Sequence, residues 1–274
     1  AGVNIMSTLI DKPINFSTTH NKDTRFTNLN NVEIYNIKGV HPSGNESFQI
    51  NKIDPLNFGE TVWVVKPEDL ANIGAFFKTG VFCSTRTIAV SGDSLKSPKY
   101  FSTVIGSSIS SLINNDEIND INNYRFINGD PLSGSKVEYS DYIGFYNNCL
   151  SVIEEGNNYR MLGWLPFMYN SVPSLSKTSF SWLLSGAKKV NTNLNGEERA
   201  IVVTGEMEKY FPMDIFPMQL IKACIRGDIE KMESLGIYEV VPEDFGLVDF
   251  SCTSKIEAQE IIKSGIQIML KEVG

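Results

Sequence analysis

The sequence predicts an α+β protein, in which a strand-rich middle segment follows an α/β segment and precedes a helical C-terminal segment. Apolar Ile88 and Val90 alternate with polar neighbours, which is the period of a half-buried strand. A proline followed by two acidic residues at Pro67–Asp69 marks the start of a helix. Apolar residues recur at helical spacing through much of residues 206–274.

Residues 1–85 have the pattern of the end of an α/β layer. A short helix and a polar loop over residues 1–30 precede a predicted strand in Asn31–Gly39. The continuous apolar run Thr61–Val65 predicts a strand buried on both faces. The helix that begins at Pro67 ends before a glycine that can cap it.

Residues 86–156 predict one compact module. The stretch Arg86–Ile113 indicates a strand, a turn at Gly92, a second strand and a short helix. Three further extended runs, Arg125–Asn128, Tyr142–Tyr146 and Leu150–Ile153, follow. This order resembles the soluble-ligand-binding β-grasp (SLBB) module, which implies a docking or binding unit and not a catalytic one.

The last two segments differ in character. Residues 157–205 show no clear period and predict an extended aromatic and basic linker. Residues 206–274 predict a helical domain, whose first two helices are capped by Asp214 and Asp228. The final helix is expected to start at the capping box Ser254-x-x-Glu257.

Charge limits the possible partners of the chain. The formal net charge is −8, whereas binding to nucleic acid requires clustered lysine and arginine. Residues 157–205 are the one basic segment, with a net charge of +3. The sequence therefore argues against nucleic acid as the main partner.

Cysteine and histidine are too few and too scattered for a metal centre. The four cysteines contain no C-x-x-C pair, and an iron–sulfur cluster needs closely spaced thiolates. Paired carboxylates such as Glu154-Glu155 are expected to be solvated surface. The sequence thus predicts no catalytic, cofactor-binding or metal-binding residue. The cysteines are Cys83, Cys149, Cys224 and Cys252, and the histidines are His20 and His41.

The sequence contains no membrane-spanning pattern and opens with no signal peptide. A spanning helix needs about 18 or more consecutive apolar residues, and no such run occurs. The first ten residues resemble the middle of a helix, so we expect the chain to be a fragment of a longer protein.

One glycine-bearing loop is a candidate contact site. Glycines in Lys38–Gly44 could let backbone N–H groups converge on an anionic or aromatic-ring ligand. The alternative is a rigid turn in which His41 packs or caps a neighbour. His41, Pro42 and Gly44 are the residues expected to touch a ligand or partner.

A second candidate lies in the aromatic segment Gly163–Leu184. Aromatic side chains and lysines without acids are typical of a bilayer interface or of the collar of a membrane protein. The alternative is an arm that packs back on its own domains. Trp164, Phe167 and Trp182 are the expected partner contacts.

Taken together, the motifs resemble the A-type subunit of the sodium-translocating NADH:quinone oxidoreductase family over essentially the whole chain. The loop keeps the family's glycines and His-Pro pair but differs at Val40 and Ser43. The matching stretches are KGVHPSGN (38–45), ETVWVVKPEDLANIGAFFKTG (60–80), RTIAVSG (86–92), GDPLSG (129–134), LGWLP (162–166), KTSFSWLL (177–184), FPMDIFPMQLIKACIRGDIEKMESLGIYEVVPEDFGLVDF (211–250) and the terminal KEVG.

The resemblance implies both a fold and a role. The chain would contain the end of a Rossmann-like domain (residues 1–85), an SLBB-like β-grasp domain (86–156), the linker (157–205) and the helical domain (206–274). It would be a peripheral subunit on the cytoplasmic face of the bacterial inner membrane, bound to membrane subunits. It would carry no cofactor, with flavins and iron–sulfur centres on other subunits. It would act as a scaffold beside the site of quinone reduction.

Two other classes remain open. A free-standing β-grasp ligand-binding protein, of the polysaccharide-export or cobalamin-binding type, would need a signal peptide and an oxidising compartment. An independent flavoenzyme would need a glycine-rich phosphate loop, and a colourless purified protein would exclude it.

Overall fold

A computed structural model describes residues 1–19, 31–113, 118, 120–156, 161–162, 172–177, 179 and 189–272. The chain divides into two compact units. The first, called the N-terminal unit, consists of Ala1–Ser84, Pro212–Asp214 and Gly236–Val240. The second, called the C-terminal unit, consists of Thr85–Phe211, Ile215–Leu235 and Val241–Gly274. The predicted division into four segments stays a prediction.

Among its described residues, the N-terminal unit consists mostly of a small parallel sheet and three helices. Strands β1 and β2 pair in parallel, with Ile14 opposite Val32 and Thr18 opposite Asn36. The sequence predicted β2 but placed β1 in a polar loop, which is wrong. The elements are α1 (Gly2–Met6), β1 (Ile14–Thr18), β2 (Val32–Asn36), α2 (Glu46–Ile53) and α3 (Pro67–Thr79).

Helix α3 follows its sequence signals closely. It begins with Pro67 in the first turn and ends at Gly80, whose φ of 70° is the left-handed conformation that favours glycine. A Cβ added to Gly74 would lie 2.6 Å from the backbone nitrogen of Gly2. Because neither Gly2 nor Gly74 has a side chain, α1 and α3 can pack at close range.

The predicted strand at Thr61–Val65 is wrong. These residues have no regular secondary structure, and Trp63 is 85% exposed. Within the described residues of this unit, β1 and β2 pair only with each other, so the apolar run has no strand beside it. The apolar character of Thr61–Val65 therefore did not predict the burial of its side chains correctly.

The C-terminal unit is built around a mixed five-stranded sheet in the order β4-β3-β7-β5-β6. Strands β3 and β7 pair in parallel at its centre, and the other neighbours are antiparallel. This topology is that of a β-grasp and confirms the predicted α+β class. The strands are β3 (Thr85–Ser91), β4 (Lys99–Val104), β5 (Tyr124–Asn128), β6 (Ser135–Val137) and β7 (Cys149–Glu154).

Helix α4 (Ile109–Leu112) packs on one face of this sheet and completes its core. Ile109 and Leu150 are fully buried, so an apolar layer forms between helix and sheet. The buried apolar residues of this core are Ile88, Val90, Leu95, Ile109, Leu112, Ile113, Ile118, Phe126, Ile143, Leu150 and Val152.

Four further helices occur among the described residues of the C-terminal unit. Asp228 caps the second of them as predicted, because its carboxylate accepts the Lys231 N–H at 3.2 Å. Asp214 does not cap the first helix, whose N-cap is Phe216. The helices are α5 (Pro217–Arg226), α6 (Ile229–Ser234), α7 (Gly246–Ser251) and α8 (Ala258–Glu272). Short 3-10 turns of this unit occupy Ile121–Asn123, Met207–Lys209 and Pro242–Phe245, and the 3-10 turn Ile237–Glu239 belongs to the N-terminal unit.

Helix α8 starts four residues later than the predicted capping box at Ser254. The Asp249 carboxylate accepts the backbone N–H groups of Ala258 at 2.6 Å and Gln259 at 3.3 Å. It thereby satisfies donors that have no partner within the helix itself. The Ser254 hydroxyl instead donates to the carbonyl of Ala200 at 3.1 Å.

Candidate functional site

The loop of residues 38–45, called the His41 loop, lies between the end of β2 and the start of α2. It follows the carboxyl end of a strand in a parallel pair. Ligands of open parallel sheets bind at this end of the strands. The local architecture therefore places the loop where α/β proteins commonly bind their ligands.

Main-chain hydrogen bonds fix the shape of the His41 loop. The Ser43 N–H donates to the Val40 carbonyl at 2.9 Å, and the peptide bond between His41 and Pro42 is cis. The Gln49 side-chain amide, on the first turns of α2, donates to the Ser43 carbonyl at 3.3 Å and to the Gly44 carbonyl at 3.2 Å. The loop is thus held by its own backbone and by the helix that follows.

The loop presents its polar groups to solvent. The His41 side chain is exposed, and a Cβ added to Gly44 would meet no heavy atom within 4 Å. Asn45 makes no side-chain hydrogen bond to the start of α2. A polar or anionic group could contact the His41 imidazole, the unobstructed Gly44 and the uncapped start of α2 together. The roles of His41, Pro42 and Gly44 stay a prediction.

The three predicted aromatic contacts Trp164, Phe167 and Trp182 lie outside the described residues. Their segment leaves the sheet at Gly156, and the Gly156 N–H donates to the Thr192 hydroxyl oxygen at 2.7 Å. A Cβ added to Gly156 would lie 2.1 Å from the backbone nitrogen of Asn193. The chain therefore returns to the point from which it departs.

An ion pair reinforces this junction. The Arg125 guanidinium donates to both carboxylate oxygens of Glu155, with the Nε contact at 2.7 Å, and the Thr192 hydroxyl donates to the same carboxylate at 2.8 Å. The hydrogen bonds and charge of Arg125 lower the pKa of Glu155 below its ordinary value.

The GDPLSG loop at residues 129–134 contacts the C-terminal helices. The Gln259 side-chain amide donates to the Leu132 carbonyl and to the Asp249 carboxylate, both at 2.9 Å. A Cβ added to Gly246 would lie 3.1 Å from Cβ of Leu132. Burial raises the pKa of Asp249 above its ordinary value, although its hydrogen bonds act in the opposite direction.

The predicted extended run at Tyr142–Tyr146 is wrong, because only an isolated bridge at Tyr142 forms there. Its residues instead form an exposed aromatic cluster of the β-grasp module, which sequence reasoning missed. Tyr142, Phe145 and Tyr146 are 66%, 55% and 76% exposed, and the last two rings contact each other edge to face with centroids 5.0 Å apart. Buried Arg86 donates to the Phe145 carbonyl at 2.6 Å. The density of aromatic residues in the run YIGFYNN was the available signal.

Within the described ranges, histidine, cysteine, aspartate and glutamate form no group of three that could hold a metal ion. The described helices include none that is both long enough and apolar enough to cross a membrane. Cys83 is exposed and Cys149 is half-buried, whereas Cys224 and Cys252 are buried. Burial raises the pKa of Cys224 to about 11.

Comparison with protein families gives two matches along the chain. Residues 1–82 match the family described as the NqrA second alpha/beta domain. Residues 87–139 match the family described as the NQRA C-terminal domain, of the SLBB type. The second match covers most of strand β3 and the strands β4 to β6.

Several curated relatives align with almost the whole chain. The A-type subunit of the Na(+)-translocating NADH-quinone reductase from Neisseria meningitidis serogroup C is 33% identical over 276 residues, which is 99% of this chain and 60% of the relative. The protein of the same name from Haemophilus influenzae is 33% identical over 273 residues, with the same coverage. The chain therefore spans about 60% of the length of the relatives that it matches.

Proposed function

Because the chain belongs to the NqrA family, we propose that it serves as the A-type subunit of a membrane-bound, sodium-translocating NADH:quinone reductase. The observation that carries the proposal is identity of 33% over 99% of the chain, which includes both matched domains. In this role the chain is part of an oxidoreductase complex but catalyses no step alone.

The proposed role is that of a scaffold. The four cysteines are far apart in sequence, so the residues present do not suit an electron relay through clustered thiolates. Flavins and iron–sulfur centres are assigned to partner subunits. β-Grasp modules of this type are associated with docking, and the exposed cluster of Tyr142, Phe145 and Tyr146 supplies aromatic contact area suited to a protein partner.

The proposal places the chain on the cytoplasmic face of the membrane, next to the site of quinone reduction. The His41 loop and the aromatic residues Trp164, Phe167 and Trp182 are the proposed contacts with quinone or with membrane subunits. The position of the loop at the carboxyl end of β2 supports a contact with a ligand or partner there.

A pull-down tests the scaffold role. The chain is incubated with detergent-solubilised reductase that lacks its own NqrA protein, and an absorption spectrum of the chain is recorded alongside. Capture by a colourless chain is the expected result. Failure to bind contradicts docking through these residues, and a bound flavin spectrum contradicts the cofactor-free assignment.

Hydrogen exchange tests the quinone contact. Addition of a short-chain quinone to the reassembled complex is expected to slow exchange in residues 38–45. His41→Ala is expected to weaken that protection. Equal exchange with and without quinone would remove the His41 loop from the quinone site.

A further inference from the structure

One edge of strand β7 changes its partner along its length. Strand β3 pairs in parallel with this edge as far as Ser91 and then turns at Gly92, whose φ is 137°. Strand β5 occupies the other edge of β7. Beyond the turn, residues 189–193 lie along the edge that β3 leaves, in a parallel bridge between Asn191 and Glu154. Residues 189–193 are called the strap.

Side-chain carboxylates hold the strap in place. The ammonium of Lys189 lies 3.5 Å from the carboxylate of Glu154, and the N–H of the next residue donates to the carboxylate of Asp93 at 3.0 Å. The Thr192 hydroxyl donates to the Glu155 carboxylate at 2.8 Å. A main-chain hydrogen bond from the Thr192 N–H to the Glu154 carbonyl, at 3.2 Å, supplements these contacts. Most of the contacts that hold the strap therefore involve a negative charge.

The strap itself contributes little to the core. Lys189 is exposed, and the other four residues of the strap are only half-buried. The side-chain amide nitrogen of Asn193 is shielded from water but has no hydrogen-bond partner among the described residues, which costs free energy in the closed position. Segments with few buried apolar contacts are those that open locally while the rest of a domain stays folded.

We propose that the strap is a salt-sensitive switch, which detaches from β7 as a unit while the sheet stays folded. The ion pair between Lys189 and Glu154 is exposed, with 65% and 47% of the two side chains accessible, so dissolved ions screen it. The role of the switch rests on the proposed function, because the strap directly follows the segment that contains Trp182, a proposed contact with membrane subunits. An open strap gives that segment a longer tether and so extends the reach of the contact.

Hydrogen exchange measured by mass spectrometry tests the opening. Protection of peptides that cover the strap is compared at about 0.1 M and about 1 M sodium chloride, which shortens the Debye length from about 10 Å to about 3 Å. We expect the protection factor to fall by about twofold to fivefold, the range that corresponds to an exposed ion pair. Protection at Leu150 and Val152, whose side chains are fully buried, should not change.

Variants assign the effect to the named contacts. Lys189→Gln should lower the protection of the strap at low salt to the value that the parent chain shows at high salt, and Asp93→Ala should lower it as well. The matched control is Lys263→Gln, which removes an exposed 3.3 Å ion pair with Glu260 on α8 and should not affect the strap. Protection of the strap that depends on neither salt nor Lys189 overturns the proposal. An equal loss of protection in the strap and at Leu150 would mean global unfolding and would also overturn it.

Capture by membrane subunits distinguishes this proposal from the scaffold role. Because apparent affinity scales with the population of the competent state, capture of Lys189→Gln in the pull-down should exceed that of Lys263→Gln by about twofold to fivefold. Equal capture of the two variants contradicts the regulatory role of the strap. If salt and Lys189 control the protection of the strap while capture of every chain fails, the opening is supported and the scaffold role fails.

Discussion

The side-chain amide of Gln259 donates to the main-chain carbonyl of Leu132 at 2.9 Å. The contact joins the first turn of α8 to the GDPLSG loop of the β-grasp module. The same amide donates to Asp249, whose carboxylate also accepts the first N–H groups of α8. One side chain thus couples a helix start to a loop that lies far away in sequence.

Gln259→Ala is expected to destabilise the C-terminal unit by about 1–3 kcal/mol, because it removes two hydrogen bonds and leaves polar partners without a donor. Urea unfolding monitored by circular dichroism measures the change. The matched control is Gln219→Ala, a substitution at an exposed position of α5 that should have little effect. Equal stability of the two variants would mean that the Leu132 contact is not energetically important.

Asp249 is expected to make stability depend on pH. Burial raises its pKa in the folded protein above the ordinary value of 3.8. The folded state therefore holds the proton more tightly, and the contribution of this group to stability falls as pH rises from 3.8 through the folded pKa. In urea unfolding across this range, the free energy of unfolding should therefore rise more steeply with pH in Asp249→Asn than in the parent chain. An unchanged slope in the variant would assign the effect to another group.

Glu155 is expected to have the opposite dependence. Hydrogen bonds and charge from Arg125 lower its folded pKa, so its stabilising contribution is present above pH 4.5 and is lost as pH falls through the lower folded pKa. Glu155→Gln should cost about 1 kcal/mol at neutral pH and should abolish that acid-dependent loss. Glu154→Gln, whose 3.5 Å pairing with Lys189 is exposed, is the control and should behave like the parent chain.

The cysteines are expected to differ in reactivity. Cys83 is exposed, whereas burial of Cys224 raises its pKa to about 11, so little thiolate forms there at neutral pH. Titration with a chromogenic disulfide should show one fast-reacting thiol in the native chain. Cys83→Ser should remove that phase. Rapid modification of Cys224 without denaturant would contradict its buried position.

Two glycines are expected to respond differently to alanine. A Cβ at Gly92 would lie 1.9 Å from the carbonyl oxygen of Val152, and the φ of Gly92 is 137°. Gly92→Ala should therefore destabilise the sheet by about 2 kcal/mol or more. Gly44→Ala meets no atom and should leave the thermal transition unchanged. If Gly44→Ala nevertheless weakens quinone-dependent protection, the contribution of Gly44 is to contact and not to folding.

Local signals in the sequence predicted some elements well. Pro67 and Gly80 bound α3 because a helix start and a helix end each depend on a few adjacent residues. Strand β1 was missed since its pairing with β2 joins segments separated by a long crossover. The start of α8 was misplaced because its capping group, Asp249, lies nine residues before Ala258.

The candidate site was likewise predicted only in part from the sequence. The His41 loop could be identified from its glycines, and its position after a strand followed from the alternation around Ile34. The exposed cluster around Phe145 was not identified, because the Phe145 carbonyl is bound by Arg86, which lies on β3, far away in sequence. The exposure of Trp63 likewise could not be predicted from the sequence, since an apolar run does not reveal whether a neighbouring strand exists.

The junction at Gly156 and Asn193 has a consequence for how the sequence can vary. The two chain ends meet in a closed base, in which a Cβ added to Gly156 would lie 2.1 Å from the backbone nitrogen of Asn193. The Gly156–Thr192 hydrogen bond closes that base. Position 156 is therefore expected to accept only glycine in chains that keep this junction, because a larger residue would separate the end of β7 from the segment that returns to it.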